Sequence, residues 1–427
     1  MTIMTLIKNG VVIDTEPEPV VLGRVDVRIE GDTIAEVGPD LPAGPGAEVI
    51  DATGRIVLPG FVDTHRHTWQ AGIRAVAPDI TFGEYLRRVL GELAPRHRPR
   101  DVHAGNLAGA LECLDSGITT LLDWSHIQNS PAHTDAAVRA LHESGIRAVF
   151  GYCYPGPVEE LAVATKGVRE QLFDTSDGLV TMVIAALGPE IAGEERALAE
   201  WRLAADLGLP VTAHLGGHGR ESAQRGLAFL EENGLLATPT TFVHALHYTD
   251  EEFKRIAAAG GSVSVSPVDE MNLGLGYPTT GRARAAGIPT GLSADTVVCS
   301  SGDMFSQMRT AHLLERGRPE GAGLGFTTRD VLRMATIEGA QVVGLADVVG
   351  SLRPGKQADL VLLRTDTLGM AAAHDPIGAV VLNADPSSVE TVLVAGRPVK
   401  RGGRLLRHDL PAVLADLAET AGAVVKA

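Results

Sequence analysis

The stretch Val57-Leu58-Pro59-Gly60-Phe61-Val62-Asp63-Thr64-His65-Arg66-His67 is an apolar run that ends in two histidines one residue apart. Side chains at positions i and i+2 of a β-strand point to the same face. A strand over this run would therefore present both imidazoles side by side at its carboxyl end, as a pair of metal ligands. One such pair is weak evidence by itself, because two histidines can be neighbours by chance.

Three other apolar runs of the chain also end in residues that bind metals. The segments 211–214 and 241–244 close with His214 and His244, and the segment 288–295 closes with Asp295. Side chains that follow parallel strands meet at one end of a barrel, where the active sites of (β/α)8 enzymes lie. The four runs together predict one polar site at the strand ends, and their joint position disfavours buried histidines that only satisfy the backbone.

Size and charge limit the classes of function. A chain of 427 residues suits one large barrel-type domain with a smaller one beside it. The net charge of −16 argues against nucleic acid and anionic membranes as partners, and it mainly favours solubility. The expected partner is therefore a small molecule.

Cysteine usage and the lack of long apolar runs bear on the compartment. Cys113, Cys153 and Cys299 form neither an even framework nor a C-x-x-C pair, which predicts a reducing compartment without structural disulfides. The first ten residues lack the apolar core of a signal peptide, and no uninterrupted apolar run approaches the roughly 18 residues of a membrane span. We therefore expect a cytoplasmic protein.

The pattern of apolar runs divides the chain into three segments. Residues 1–57 read as short strands with turns, including a predicted hairpin at Asn9-Gly10, and residues 351–427 return to strands followed by a terminal helix from Leu410. Between them, residues 58–350 alternate apolar runs with amphipathic segments, which is typical of a parallel sheet closed into a barrel. We predict an α/β protein, a (β/α)8 TIM barrel with a small β-sandwich domain built from both chain ends.

Four motifs distributed over the chain are more specific than this pattern. They are Leu58–His67, Gly117–Thr120, Ala335–Ala340 and Gly350–Asp359. Jointly they resemble the amidohydrolase superfamily, and within it the group of cytosine deaminase, chlorohydrolase and S-adenosylhomocysteine deaminase. The likeness covers nearly the whole chain and implies a metal-dependent hydrolase, but it does not specify the substrate.

The resemblance assigns a metal site residue by residue. The family's ligands fall on His65, His67, His214 and Asp295, while His244 matches the family's catalytic or supporting histidine on the next strand. The resemblance implies one divalent metal with an open coordination position. Three histidines and a carboxylate suit Zn(II), or else Fe(II) or Mn(II).

A second metal is the alternative to this single site. Relatives with two metals commonly bridge them by a carboxylated lysine on the fourth barrel strand. None of the lysines of this chain ends that strand, but Glu190 follows Gly188-Pro189 there. A bridging carboxylate at Glu190 therefore stays open, although the ligand set favours one metal.

The ligand types and the resemblance together imply a hydrolytic mechanism. A divalent metal lowers the pKa of a bound water toward about 7. Asp295 would accept the water's proton as general base, and His244 would polarise the substrate or stabilise the oxyanion. The predicted activity is hydrolysis of a non-peptide carbon–nitrogen bond, by deamination or by amide or amidine hydrolysis, in a small cyclic substrate.

One position departs from the family pattern. The deaminases carry a glutamate three residues after the histidine of the fifth strand, where it shuttles protons. This chain reads His214-Leu215-Gly216-Gly217-His218, so Gly217 occupies the glutamate position and ordinary deamination by that mechanism is in question. We hypothesise that His218 or His247 protonates the leaving group, because histidine titrates near neutrality.

Further polar and aromatic side chains near the strand ends are candidates for substrate binding. Glu270, together with Asp269, would put negative charge near the pocket mouth and favour a substrate with cationic or N–H donor groups. The other candidates for the pocket wall are Trp69, Gln70, Trp124, His126 and His247.

Other activities fit the same residues. Hydrolytic removal of another leaving group, such as chloride, is one alternative. A non-catalytic metal-binding barrel with a structural or assembly role is a second, motivated by Gly217 and opposed by the intact ligand set. Non-hydrolytic chemistry such as decarboxylation or isomerisation is a third, because one fold hosts many reactions. The resemblance also implies a homodimer or a larger homo-oligomer.

Overall fold

Strands recur along the chain in the computed structural model, which describes residues 4–173 and 178–426. Many of them are rich in valine, isoleucine and threonine, whose branched side chains favour extended backbone. In chain order, the strands of these residues are β1 (Met4–Asp14), β2 (Val20–Glu30), β3 (Thr33–Gly38), β4 (Glu48–Asp51), β5 (Arg55–Pro59), β6 (Phe61–Arg66), β7 (Ile118–Ser125), β8 (Arg147–Tyr152), β9 (Val180–Ala186), β10 (Val211–Leu215), β11 (Thr240–His244), β12 (Ser262–Val265), β13 (Thr290–Leu292), β14 (Leu360–Arg364), β15 (Val389–Val394), β16 (Arg397–Arg401) and β17 (Arg404–Leu405).

Helices alternate with the strands through the middle of the chain. Several begin at a side-chain cap, as where the Thr249 hydroxyl accepts the Glu252 N–H while the Glu252 carboxylate binds the Thr249 N–H. The α-helices are α1 (Phe82–Tyr85), α2 (Pro99–Asp115), α3 (Pro131–Ser144), α4 (Val158–Leu172), α5 (Pro189–Ala192), α6 (Glu194–Leu207), α7 (Arg220–Glu232), α8 (Asp250–Ala258), α9 (Pro267–Asn272), α10 (Thr280–Ala285), α11 (Met304–Arg316), α12 (Thr328–Met334), α13 (Ile337–Val342), α14 (Pro376–Leu382) and α15 (Leu410–Val425). One π-helix, Leu86–Leu93, and short 3-10 helices complete the set of the described residues. The 3-10 helices are Thr68–Ile73, Ala94–Arg96, Leu235–Ala237, Pro319–Gly321 and Pro386–Ser388.

The chain divides into two compact units. The first comprises the residues up to Asp63, Leu111–Thr120 and Asp303–His408. The second comprises Thr64–Ala110, Leu121–Gly302 and the segment from Asp409 onward, which includes the predicted terminal helix. The domain boundaries near residues 57 and 350 stay predictions.

A nine-stranded sheet lies in the first unit. Its order is β17-β16-β15-β14-β5-β1-β2-β3, with β4 paired to β1. β14 pairs antiparallel with β5, with Leu360 opposite Pro59 and Arg364 opposite Arg55, and so joins the strands of the two chain ends. The second sheet predicted from both chain ends is therefore present, with all of its strands linked by hydrogen bonds.

The hairpin predicted at Asn9-Gly10 is wrong. β1 continues through both residues, with a register shift against β2 between Ile7 and Gly10, and Asn9 has a left-handed φ of 65°. Asparagine and glycine tolerate such a backbone, so the pair forms a bulge within a strand instead of a turn. Pairing of β1 with β2, β4 and β5 holds the extended chain.

The other eight strands form the barrel. Their order, β13-β12-β11-β10-β9-β8-β7-β6, follows the chain without a crossover, and the pairs from β8 to β13 are parallel. A parallel bridge between Arg66 and Asp295 links the two ends of this order. Helices α3, α4, α6, α7 and α8 separate successive strands from β7 to β12. The predicted (β/α)8 barrel is confirmed.

Apolar side chains pack these helices onto the strands. Trp201 of α6, Leu227 of α7 and Phe253 of α8 are fully buried together with Phe242 of β11 and Val263 of β12. Full burial of one such side chain contributes about 1.5–3 kcal/mol, so this core fixes the position of the strand ends. None of the described helices is long and apolar enough to span a membrane.

Candidate metal centre and active site

Histidine and aspartate side chains converge at the carboxyl ends of four barrel strands. His65 lies on β6 and His67 directly after it, His214 lies on β10, His244 ends β11, and Asp295 follows β13. The ligand atoms of His65, His214 and His244 lie within 4.8 Å of one another, and so do those of His65, His67 and Asp295. Neutral imidazoles and a carboxylate at these separations fit a divalent metal such as zinc.

The carboxylate of Asp295 lies beside both histidines of the His-Arg-His motif. Its Oδ1 is 3.3 Å from His65 Nε2 and 3.4 Å from His67 Nε2. The Asp295 N–H donates to the His65 carbonyl at 3.0 Å, and the His67 N–H donates to the Asp295 carbonyl at 2.8 Å. Asp295 has a left-handed φ of 44°, a strain of about 1–3 kcal/mol that persists where the surroundings impose it. The edge of β6 therefore fixes this carboxylate.

A backbone carbonyl sets the tautomer of His67. Its Nδ1 lies 2.8 Å from the carbonyl oxygen of Trp124, at the end of β7. A carbonyl can only accept a hydrogen bond, so Nδ1 carries the proton and Nε2 keeps its lone pair. A hydrogen bond of this kind orients a metal-binding histidine and strengthens it as a ligand.

Burial and mutual charge set the ionisation of the site. Burial lowers the pKa of His65, lowers the pKa of His67 to about 4, and holds the pKa of His214 well below its usual range. Burial alone would raise the pKa of Asp295, but the hydrogen bond and charge of His65 and the charges of His67 and His244 lower it instead. Neutral imidazoles of His65, His67 and His214 and an ionised Asp295 carboxylate are the forms that bind a metal.

The buried carboxylate of Glu270 contacts His244 on the Nδ1 side of its ring. Its Nδ1 lies 3.1 Å from Glu270 Oε1, and its Nε2 lies 3.8 Å from Asp295 Oδ2. Burial alone would lower the pKa of His244, but the hydrogen bond to Glu270 and the charge of Asp295 raise it. The backbone of His244 is left-handed, with φ of 71°. His244 is therefore oriented with Nε2 toward the metal-binding cluster.

The structure corrects the predicted role of Glu270. Its side chain is 0 % exposed and does not border the pocket. Glu270 Oε1 also accepts the Ser266 N–H at 2.9 Å, which ties the carboxylate into the turn between β12 and α9. Asp269 is buried as well. Glu270 supports His244, Asp269 accepts a hydrogen bond from the Cys299 thiol, and neither carboxylate lies at the pocket mouth.

A pocket of about 110 Å³ adjoins the cluster and has mainly apolar walls. Among the predicted residues, it includes Trp124, His126 and His218 as well as the metal-site residues His67, His214, His244 and Asp295. The remaining lining residues are Phe82, Tyr85, Leu86, Leu90, Leu187, Ile191, Gly217, Leu273, Leu275 and Thr296.

Trp69 and Gln70 lie behind the pocket wall, which corrects their predicted contact with substrate. Both side chains are fully buried, and neither borders the pocket. Trp69 Nε1 donates to His126 Nδ1 at 3.2 Å, and Gln70 Nε2 donates to the Tyr85 hydroxyl at 2.6 Å. Each predicted residue therefore contacts a pocket residue instead of the pocket.

His218 and His247 differ in their access to the site. His218 borders the pocket beside Gly217, with its ring centroid 5.6 Å from that of Phe82. His247 does not border the pocket, and its N–H donates to the Gly216 carbonyl at 3.0 Å. Burial, followed by the charge of nearby histidines, lowers the pKa of His218. Of the two candidates for the leaving-group acid, only His218 is placed to contact a bound molecule.

Glu190 supports the loop that carries Gly217 and His218. Its Oε1 accepts the Gly216 N–H at 2.6 Å. Burial raises the pKa of Glu190, opposed by hydrogen bonds from the backbone of Gly216 and His218. Neither of the two metal-binding groups found in the described residues includes Glu190. This position does not suit a carboxylate that bridges two metals.

Gly217 leaves room for a side chain. A Cβ atom built on it would meet His244 Cδ2 at 4.0 Å, an ordinary contact, and its backbone is not left-handed. The neighbouring Gly216 is different, because it has φ of 76° and a Cβ would lie 2.5 Å from the Tyr248 ring. The glycine at the glutamate position is thus not required by the fold.

Phe82 and Tyr85 of α1 are pocket residues that were not predicted from the sequence. Both border the pocket, and the Tyr85 hydroxyl is bonded to Gln70. Thr81 and Glu84 form a capping box at the start of this helix, so the Thr-x-x-Glu pattern marks the helix in the sequence. Nothing in that pattern indicates that the helix faces the barrel's strand ends.

The sequence of this chain is similar to a known protein family and to several deaminases. The model of the family described as "Amidohydrolase family" matches residues 56–399. A 5-methylthioadenosine/S-adenosylhomocysteine deaminase of Symbiobacterium thermophilum is 31% identical over 430 residues, which cover 95% of this chain and 96% of the relative. A 5'-deoxyadenosine deaminase of Methanothermobacter thermautotrophicus is 28% identical and covers 97% and 99% of the two chains.

Solved structures share the fold. An adenosine deaminase from Xanthomonas campestris with bound zinc superposes with a TM-score of 0.91 at 24% identity, over 99% of each chain. An atrazine chlorohydrolase from Arthrobacter aurescens TC1 complexed with zinc superposes with a TM-score of 0.90 at 24% identity, over 98% of this chain and 100% of that one. At 24% identity, this similarity is evidence for a shared fold and not for a shared activity.

Proposed function

Since this chain belongs to the amidohydrolase family, we propose that it is a metal-dependent hydrolase of a non-peptide carbon–nitrogen bond in a small cyclic molecule. The observation that carries the proposal is the convergence of three histidines and Asp295 beside one pocket. A buried cluster of metal-ligand residues in a cleft is the arrangement from which a hydrolytic site is inferred.

We propose that His65, His67, His214 and Asp295 hold one divalent metal, with zinc the best match to these ligand types. Fe(II) and Mn(II) share part of this preference. When bound, such an ion supplies a water whose pKa is lowered toward about 7. The zinc named for the two solved neighbours supports this choice.

Asp295 and His244 have separate tasks in this proposal. Asp295 would accept the proton of the attacking water as general base, and its Oδ2 lies 3.8 Å from His244 Nε2. His244 donates through Nδ1 to Glu270 and presents Nε2 to the pocket, where a proton on Nε2 would stabilise the oxygen or nitrogen that gains negative charge.

The leaving group takes its proton from His218. This histidine borders the pocket next to the position where the family's deaminases carry glutamate. Its protonated imidazole would give the proton to the leaving group, and the proton that Asp295 takes from the water would return to His218, so that the step balances. The leaving group is then ammonia or an amine. Removal of chloride is the second candidate, because a chloride ion leaves without a proton and would not need the glutamate that Gly217 replaces.

Product analysis tests the proposal. The zinc-loaded protein would be incubated with 5'-deoxyadenosine, 5-methylthioadenosine, cytosine, atraton (a methoxytriazine with two alkylamino groups) and a chlorinated triazine. Release of ammonia or amine, with oxygen from labelled water in the product and loss of turnover on chelation, supports carbon–nitrogen hydrolysis. Release of chloride alone supports the second candidate. A zinc-loaded protein that turns over none of these and no further cyclic amide or amidine would favour the non-catalytic barrel.

A further inference from the structure

Two residues of the pocket are oriented by neighbours that follow the His-Arg-His motif directly. Trp69 Nε1 lies 3.2 Å from His126 Nδ1, and Gln70 Nε2 lies 2.6 Å from the Tyr85 hydroxyl oxygen. Trp69 and Gln70 are fully buried and adjacent in the 3-10 helix Thr68–Ile73. One helical turn therefore controls two polar groups of the pocket.

The bond from Trp69 fixes the tautomer of His126. An indole N–H can only donate, so His126 Nδ1 accepts and the proton of the neutral ring lies on Nε2. Nε2 is buried and has no hydrogen-bond partner among the residues that the structure describes. The ring stacks on His67 with centroids 4.1 Å apart and planes 11° apart, which prevents it from turning away. His126, which borders the pocket, thus carries a buried N–H donor that no described residue accepts.

The bond from Gln70 fixes the direction of the Tyr85 hydroxyl. The Thr296 hydroxyl donates to Gln70 Oε1, which leaves the Gln70 amide N–H2 to donate to Tyr85. Since its oxygen accepts from Gln70, Tyr85 must give its own proton to another acceptor. Burial, followed by the charge of Asp295, raises the pKa of Tyr85 well above 10, so the hydroxyl stays a donor.

We propose that the His126 Nε2–H and the Tyr85 O–H bind the substrate by donating to two acceptor atoms of a planar heterocycle, with Trp69 and Gln70 as positioning residues. The inference rests on the hydrolase function proposed above. Pyridine-type ring nitrogens and ring carbonyl oxygens are the acceptors that such donors select. Apolar walls such as Phe82, Leu86 and Ile191 fit hydrocarbon substituents on the ring.

The same pocket is poorly suited to a sugar. Ribose hydroxyls need acceptors, and a buried hydroxyl without one costs about 1–3 kcal/mol. In the pocket lining, as far as the structure describes it, Asp295 is the one carboxylate, and it belongs to the metal cluster. The substrate is therefore a ring with acceptors and apolar substituents, and not a nucleoside. This reverses the donor-bearing substrate that the sequence alone suggested from Glu270.

Calorimetric titration of the zinc-loaded protein with atraton and with 5'-deoxyadenosine tests the inference. Atraton offers three ring nitrogens as acceptors and apolar alkyl groups, so it should bind more tightly than the nucleoside. Loss of one donor in Tyr85→Phe or in His126→Phe should weaken atraton binding about 10-fold each. Equal affinity of these variants and wild type, or tighter binding of the nucleoside, would overturn the inference.

The positioning role of Gln70 is tested by reversing its hydrogen bond. In Gln70→Glu the carboxylate would accept the Tyr85 proton, so affinity for atraton should fall to the level of Tyr85→Phe. Adding Gln70→Glu to Tyr85→Phe should then cost nothing further, whereas a merely structural role would add its own loss. If the wild-type protein turns over the probes but Tyr85→Phe and His126→Phe bind atraton with wild-type affinity, this inference is wrong and the proposed function still holds. If both variants bind atraton about 10-fold more weakly but no probe is turned over, this inference holds and the proposed function is wrong.

Discussion

Nδ1 of His244 lies 3.1 Å from Oε1 of Glu270, and both side chains are buried. The pair fixes the imidazole so that Nε2 lies 3.8 Å from Asp295 Oδ2. Glu270 thus acts on the reaction only through His244, and it is a positioning residue in the proposed mechanism.

Glu270→Gln is expected to lower kcat about 10- to 100-fold, the range for loss of a group that supports a site from behind. The amide can still accept the Ser266 N–H, so the fold should persist. Metal content should stay near that of wild type, because Glu270 belongs to neither metal-binding group of the described residues. Its partner His244 is not one of the four proposed ligands. Steady-state kinetics beside metal analysis check this, with the exposed Glu251→Gln as control. Wild-type kcat in Glu270→Gln would contradict the role.

Metal content should be about one equivalent per chain in wild type, and it should fall in His214→Ala and in Asp295→Asn, since each removes a ligand from a site whose affinity depends on all of them. Elemental analysis after dialysis measures this. His218→Asn serves as the matched control, because His218 borders the pocket without belonging to either metal group. Two equivalents in wild type would restore Glu190 as a bridge, and none after reconstitution would end the metal hypothesis.

The fold and the proposed ligand set could be inferred from the sequence because both depend on local pattern. His65 and His67 share a face through the two-residue period of a strand, and the strand ends of a barrel meet whatever lies between them. The family resemblance is confirmed by the match over residues 56–399. The metal roles of the four ligands stay predictions.

Depth and direction of side chains could not be inferred in the same way. Trp69, Gln70 and Glu270 all follow strand ends, yet each is fully buried one layer behind the pocket. Tertiary packing decides which residues of a loop face the cavity. The Asn9-Gly10 pair illustrates the same limit, because neighbouring strands on both sides of β1 hold it extended where the dipeptide favours a turn.

His218→Asn should lower turnover at least about 100-fold, as expected for loss of a general acid. His247→Asn is the matched control and should keep near wild-type turnover, because His247 does not border the pocket. A substrate whose leaving group needs no proton should be much less affected by His218→Asn. Equal rates of wild type and His218→Asn on an amine-releasing substrate would remove His218 from the mechanism.

Glu190→Gln should alter the pH dependence of stability. Burial raises the pKa of Glu190 above its ordinary value of 4.5, so the folded state binds this proton more tightly than the unfolded chain. The free energy of unfolding of wild type should therefore rise, relative to Glu190→Gln, as the pH falls through the folded-state pKa, and level off below 4.5. Urea unfolding of both proteins between neutral and acidic pH measures the difference. If the free energies of unfolding of the two proteins change in parallel with pH, the raised pKa of Glu190 is contradicted. Loss of metal from Glu190→Gln would instead support Glu190 as a carboxylate that bridges two metals.

Gly217→Glu should restore a proton shuttle. The position accepts a Cβ with His244 Cδ2 4.0 Å away, so the variant should fold and bind metal as wild type does. Release of ammonia from cytosine should rise about 100-fold above wild type, the contribution of one general acid–base group. Gly217→Ala fills the same space without a carboxylate and should show no rise. Gly216→Ala should instead be destabilised, because its Cβ would lie 2.5 Å from the Tyr248 ring.

The same variant also separates the glutamate position from His218. If His218 carries the proton only because Gly217 cannot, then His218→Asn should cost far less in the Gly217→Glu background than in wild type. A double-mutant cycle on ammonia release measures this coupling. A full loss in both backgrounds would mean that His218 contacts the substrate for another purpose, and that the leaving group takes its proton elsewhere.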